Sequence, residues 1–138
     1  MKLLQLLMTY LSIDYGLSKT GIAVSDEYGI VAKALETIKA KDKSKLLRTL
    51  KELISKYKIE VIVLGLPVGY YGDTEQTTLT RGFAEELSKE TGLKVILWDE
   101  SYSSKKAELG ARSRKRENSD SEAARIILQE YLDSTDKN

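Results

Sequence analysis

The chain contains neither cysteine nor histidine. The first absence excludes disulfides and thiolate metal sites. The second removes the commonest general base and the usual zinc ligand. Any resident metal ion must therefore be held by oxygen, which selects magnesium, manganese or calcium. Net charge is nearly absent as well, at +1, so the chain as a whole does not advertise a polyanionic partner. No apolar run is long enough to span a bilayer. The N-terminal MKLLQLLM is too short, lacks a cleavage site and runs straight into the first strand, so it does not read as a signal peptide. Met8 is a second candidate start, with residues 1–7 as an N-terminal extension, because MTYLSIDYG would begin directly at that strand. The expected setting is the cytoplasm, with no membrane partner and a monomer or homodimer.

What is present suits one folded unit. A length of 138 residues can bury one sizeable core, and 41% apolar with 31% charged residues fits a soluble globular domain. The opening stretch LSIDYGLSKTGIAVSD predicts a strand from about Met8 to Asp14, a turn bracketed by Gly16 and Gly21, and a second strand beginning at Ile22–Ser25. Tyr28-Gly29 reads as another turn and 30–38 as a third strand, completing an antiparallel meander. From about Ser44, Leu46, Leu47, Leu50, Leu53, Ile54 and Tyr57 recur every three or four residues, which predicts a helix with one apolar stripe. The run 60–65 (EVIVLG) reads as a strand buried on both faces. Its exit holds the single proline, Pro67, together with Gly69, Tyr70, Tyr71 and Gly72. A second helix is expected over about Thr77–Thr91, stopped by Gly92. Another buried strand follows at Lys94–Asp99, then a short helix at about Ser104–Ala111 and a polar, mobile stretch over 112–118. Ser119-Asp-Ser-Glu122 matches a capping box opening the last helix, with Ser119 at the N-cap, running to about Asp133. A meander followed by two strand–helix–strand crossings gives one mixed-sheet α/β domain.

Acids fall at the ends of these elements. Asp14 closes strand one, Asp99 and Glu100 close the strand at Lys94–Asp99, and Asp120 opens the last helix. In α/β sheets, sites form outside the carboxyl ends of parallel strands, so a central strand one would let these positions converge. Each has an ordinary reading. Asp before a turn glycine bonds its own backbone, an acid in a first helical turn meets the helix dipole, and a strand end carries solvated charge. Asp120, however, shares the apolar face of its helix with Ala124, Ile127 or Leu128, and Tyr131. Of Asp99 and Glu100 only one can face a shared site, and periodicity does not choose. Clustered carboxylates repel, and a divalent cation relieves the repulsion. Two such ions ~4 Å apart stabilise the attacking and leaving oxygens of a phosphodiester displacement.

Four stretches in order, LSIDYGLSKTGIAVSD, VIVLGLPVGYYGD, ILWDESYSSKKAE and DSEAARIILQEYLD, resemble the YqgF/RuvX family of pre-Holliday-junction resolvases, over nearly the whole chain after Met8. The resemblance implies an RNase H-like α/β fold, a five-stranded mixed sheet flanked by helices. It implies metal-dependent phosphodiester hydrolysis with Mg2+ or Mn2+, on precursor ribosomal RNA of the small subunit or on branched DNA such as a Holliday junction. By position it implies Asp14, Glu100 and Asp120 as catalytic and metal-binding acids, and it matches Gly16, Gly21, Gly65 and Pro67 to the family's turns. The chain departs from the family at Ser101, where arginine is usual. Lys19, Lys105 or Lys106 are candidate substitutes for that cation.

Between Ser104 and Arg116 six basic residues (Lys105, Lys106, Arg112, Arg114, Lys115, Arg116) accompany one acid. Such a run is ordinarily a solvated segment; here it is the candidate phosphate-contacting arm. Tyr70 and Tyr71 are candidates for stacking on bases. Two other readings stand beside the nuclease. Ser101 suits a non-catalytic nucleic-acid-binding module of ribosome assembly. The Asp-x-Gly turn also resembles the phosphate-binding turn of actin-like and sugar-kinase-like ATPases, whose adenosine site needs a second domain that 138 residues do not accommodate.

Overall fold

Strands β1 (Tyr10–Asp14) and β5 (Val61–Leu66) run parallel at the centre of a mixed sheet, with Leu11 beside Ile62 and Ile13 beside Leu64. The computed structural model describes residues 8–100 and 119–136. On one side of β1, β2 (Lys19–Ser25) pairs antiparallel, and β3 (Ala32–Ala34) pairs with β2. On the other side, β6 (Lys94–Asp99) pairs parallel with β5. The order is therefore β3-β2-β1-β5-β6, with the two-residue β4 (Ile38–Lys39) joined to the start of β2. This is the RNase H-like arrangement expected, with a sixth short strand added to the five.

Alternation along the central strands sends successive side chains to opposite faces. Leu11, Ile13, Ile22, Val24, Ile62 and Leu64 pack on one face with Leu46 and Leu50 of α1 (Lys43–Tyr57) and Phe83 and Leu87 of α2 (Glu75–Thr91). Tyr10, Ala23, Val61 and Val63 pack on the other with Ala124, Ile127, Leu128 and Leu132 of α3 (Ser119–Asp136). The stripe expected of α1 is the one it buries. Asp42 caps α1 by accepting the Ser44 N–H at 3.0 Å. No helix among the described residues is long and apolar enough to cross a membrane.

Four expectations are corrected. The third strand is split into β3 and β4, because Thr37 leaves the ladder and turns its hydroxyl to Ser121 of α3, 3.0 Å away. Helix α2 starts two residues early, at Glu75, because Thr74 caps it in a reciprocal pair with Thr77; Gly92 ends it in the left-handed region (φ 72) as expected. Strand β6 is half-exposed rather than buried, since among the described residues it has a strand partner only on its β5 side. Strand β2 begins at Lys19 rather than Ile22, so Gly21 lies inside the ladder opposite Asp14 instead of closing the turn. The side chain of Ser119, on which the expected capping box rests, is outside the described part of the chain, and the Glu122 carboxylate takes the Arg125 guanidinium at 2.9 Å. The expected short helix at 104–111 and loop at 112–118, like residues 1–7, lie outside the described residues.

Candidate active site

Asp14 is half-buried at the end of β1, and its partner across the β1–β2 ladder is Gly21. Two residues earlier in β1, the Ser12 hydroxyl donates to the Ala124 carbonyl of α3 at 2.7 Å. Residues two apart in a strand share a face, so Asp14 stands on the α3 face. On that face Gly21 leaves its side-chain space to the helix. A β-carbon there would stand 1.9 Å from the Asp120 carbonyl oxygen. Ser121, fully buried, fastens the contact. Its hydroxyl accepts the Ile22 N–H at 3.1 Å and shares a hydrogen bond with the Thr37 hydroxyl. The first turn of α3, with half-buried Asp120 in it, is thus clamped beside Asp14.

The other flank of Asp14 is built the same way. The β1–β5 register, continued one residue past Ile13–Leu64, brings Gly65 alongside Asp14. Glu100, 8% exposed and just past β6, lies over that glycine. A β-carbon at 65 would stand 2.8 Å from Glu100 Oε2 and 2.8 Å from Ile127 Cδ1 of α3. Two glycines therefore flank Asp14, one seating the backbone of Asp120 and the other the carboxylate of Glu100. Adjacent strands lie about 4.8 Å apart, so the three acidic positions occupy neighbouring steps at one end of the sheet. Of the pair Asp99 and Glu100, it is Glu100 whose carboxylate meets Gly65.

Convergence of positions is not a finished cage. Among the described residues no three carboxylates lie close enough together to hold an ion as they stand. The donor set, three carboxylates and no nitrogen or sulfur, fits the hard-oxygen preference of magnesium or manganese. The N-terminus of α3 adds positive dipole at the same place, which favours an anion such as a phosphate group.

Lys19 is exposed and shares the face of Gly21, two residues away. Its cross-strand partner is Lys39, also exposed, a residue the sequence did not single out. Tyr70 and Tyr71 form the tip of a tight turn closed by Gly69 and Gly72, whose N–H groups donate to each other's carbonyls at 2.9 and 3.2 Å. Lys105, Lys106, Arg112, Arg114, Lys115, Arg116 and Ser101 lie outside the described residues. Ser12, Thr37 and Ser121, which hold α3 on the sheet, went unnoticed in the sequence, where isolated hydroxyls carry no signal of a buried partner.

Residues 8–134 match the model of the RuvX family, described as Holliday junction resolvase. A curated relative from Agathobacter rectalis is 38% identical over 136 residues, covering 91% of this chain and 95% of its own length. One from Rickettsia canadensis is 39% identical over 131 residues, covering 90% and 85%. Both bear the name "Putative pre-16S rRNA nuclease". Among solved structures, Thermus thermophilus RuvC aligns over 94% of this chain and 97% of its own with a TM-score of 0.60. RuvC from the same organism in complex with a Holliday junction substrate aligns over 87% and 91% with a TM-score of 0.57. At 14% identity both likenesses are of fold alone. With the family model spanning nearly the whole chain, and relatives near two-fifths identical over almost their full length, the chain belongs to the RuvX family of Holliday junction resolvases.

Proposed function

We propose that this chain is a divalent-metal-dependent endonuclease that hydrolyses phosphodiester bonds in structured nucleic acid. The observation that carries the reading is the pair of glycines flanking Asp14, one against the Asp120 backbone and one under the Glu100 carboxylate. Nucleases of this fold generally use divalent metals. Asp14, Glu100 and Asp120 would hold Mg2+ or Mn2+ here. A divalent ion, when bound, supplies positive charge to the phosphoryl oxygens and lowers the pKa of coordinated water, which removes the need for a protein general base. That suits a chain without histidine.

The chain's own residues bind and orient. The α3 N-terminus, held down by Ser121, offers backbone N–H groups and dipole to the phosphate. Lys19 and Lys39 contact the flanking backbone, and Lys105, Lys106, Arg112, Arg114, Lys115 and Arg116 extend the basic contact by their charge. Precursor 16S ribosomal RNA takes precedence as substrate because it stands in the names of relatives at 38–39% identity; a Holliday junction is the second substrate, from the family description. With precursor RNA as substrate the working compartment is the cytoplasm, and the enzyme acts as a monomer or homodimer.

The test is a cleavage assay comparing a precursor 16S RNA with a four-way DNA junction, in magnesium or manganese. Cleavage of either that disappears in Asp14→Asn, with the fold intact by circular dichroism, is the expected result. Full activity in Asp14→Asn would refute the assignment. Salt-dependent binding with no cleavage under any divalent ion would make the chain a non-catalytic assembly module, in keeping with Ser101 where the family has arginine.

A further inference from the structure

We propose that the Tyr70–Tyr71 turn is a stacking platform for unpaired nucleobases, and that it selects substrates carrying an unpaired segment beside the bond to be cut. The proposal rests on the nuclease reading and adds to it the kind of strand the enzyme prefers.

The two rings are 95% and 98% exposed, more than any other large hydrophobic side chain among the described residues. Their centroids lie 5.2 Å apart at 88°, edge to face. The rings therefore present faces in different directions, and a strand crossing the turn meets one and then the other.

The support beneath them is firm. Gly69 and Gly72 exchange backbone hydrogen bonds, and Gly72 returns the chain at φ 116, a conformation suited to glycine. Thr74 and Thr77 cap α2 reciprocally, and the Thr77 hydroxyl also donates to the Pro67 carbonyl. Gln76 Nε2 donates to the Tyr15 carbonyl at 3.3 Å, the residue after Asp14. The Tyr15 ring in turn stacks on Phe83 of α2, with centroids 4.0 Å apart. The turn is thus tied to the strand end that carries Asp14. Aromatic side chains on a fixed base bind at low entropic cost, since only two χ angles need ordering.

Reach sets what the platform can touch. Tyr71 is six residues beyond Gly65, so its backbone lies within about 21 Å of the glycine that seats Glu100. A strand advances 3.4 Å per nucleotide in a helix, which puts the turn against bases within about six nucleotides of a phosphate at the acids. In an intact duplex those base faces are covered by their neighbours. A tyrosine can stack only on bases that are single-stranded, bulged or splayed.

The test measures binding of the full chain by fluorescence anisotropy, in EDTA so that nothing is cut. Three fluorescein-labelled two-stranded RNA duplexes are compared: one blunt, one with a four-nucleotide unpaired flank, and one whose flank carries the same phosphates but abasic sugars. The wild type is expected to prefer the base-bearing flank over the abasic one by about tenfold or more. Tyr70→Ala with Tyr71→Ala should erase that preference while leaving blunt-duplex affinity and the melting temperature unchanged, and Tyr70→Phe with Tyr71→Phe should retain it. Equal wild-type binding to the two flanks, no binding to any probe, or a preference that survives the alanines would overturn the proposal. A turn that docked on a protein would give the first of these results. Loss of the nuclease reading shows separately, as absence of cleavage by the wild type whatever the flank preference.

Discussion

Gly21 and Asp120 are in backbone contact across ninety-nine positions of sequence: a β-carbon on Gly21 would lie 1.9 Å from the Asp120 carbonyl oxygen and 2.6 Å from the Ser121 nitrogen. Both obstacles are main chain in a helix pinned by buried hydroxyls, so no rotamer change relieves the overlap. Gly21→Ala must lift the first turn of α3 from the β1–β2 ladder. Expected is a stability loss at or above the usual ~1–3 kcal/mol of overpacking, together with loss of cleavage. Thermal unfolding and the cleavage assay check both; an alanine variant with wild-type melting and activity would contradict the contact.

Gly65→Ala meets a different obstacle. Its β-carbon would press on Glu100 Oε2 and Ile127 Cδ1, each 2.8 Å away and each the far end of a side chain. Those ends can swing aside, so the fold should survive with a smaller loss of melting temperature than in Gly21→Ala. The Glu100 carboxylate, however, is moved. The expected signature is a large fall in kcat with a modest change in stability, measured by steady-state cleavage beside calorimetry.

Ser121→Ala separates clamp from chemistry. It removes the acceptor of the Ile22 N–H and the partner of the Thr37 hydroxyl, both in a buried setting. Leaving a buried donor unmet costs about 1–3 kcal/mol. Ser12→Ala removes only a donor to the Ala124 carbonyl, so its expected cost is lower, about 0.5–1.5 kcal/mol. Equilibrium denaturation of the two variants checks the order; equal losses would count against the clamp.

The elements and the acidic element ends were legible because both leave local traces; the choice of Glu100 over Asp99 came only from the family resemblance. The three- and four-residue spacing of α1 and the apolar run of β5 mark themselves in the chain. Asp14, Glu100 and Asp120 stand at predicted element ends. That these ends meet depends on the strand order, which puts β1 between β2 and β5 and is set by pairings up to fifty-one residues apart. Hydroxyl clamps have no local trace: Ser121 looks like any polar residue of a first helical turn until Ile22 is known to lie against it. The same holds for Lys39, whose opposition to Lys19 needs the β2–β4 register, and for the break at Thr37, which a propensity reading joins into one strand. The half-exposure of β6 follows from its place in the order rather than from its composition.

Alkaline pH should lower the stability of the protein through two tyrosines. Burial raises the pKa of Tyr10, helped by the Glu60 carboxylate, and burial also raises that of Tyr131, helped by Tyr10. Their rings pack on each other at 5.6 Å beneath α3. Above the ordinary value of 10.0, the unfolded chain releases protons that the folded chain keeps. Stability is therefore intact below pH 10 and falls as pH rises through the folded-state values. The hydrogen bond from Lys43 to Glu86, which raises the lysine pKa, acts in the same direction. Melting temperatures from pH 8 to 11 should drop less in Tyr10→Phe with Tyr131→Phe than in the wild type; parallel curves would remove burial as the cause.

Lys19 and Lys39 sit opposite each other on neighbouring strands, both exposed. Like charges placed directly opposite destabilise a sheet, and this pair stands on the flank of the acids, on the face of Gly21. Such an arrangement is a cost to the free protein that a phosphate backbone would offset. Lys39→Ala should therefore leave folding stability unchanged or slightly higher while weakening nucleic-acid binding. The slope of log K against log salt should shrink by about one unit or slightly less for each lysine removed. Binding titrations at 50, 100 and 200 mM salt would read this directly. A lysine variant that lost stability yet kept the wild-type salt slope would mean that the pair serves the fold and not the substrate.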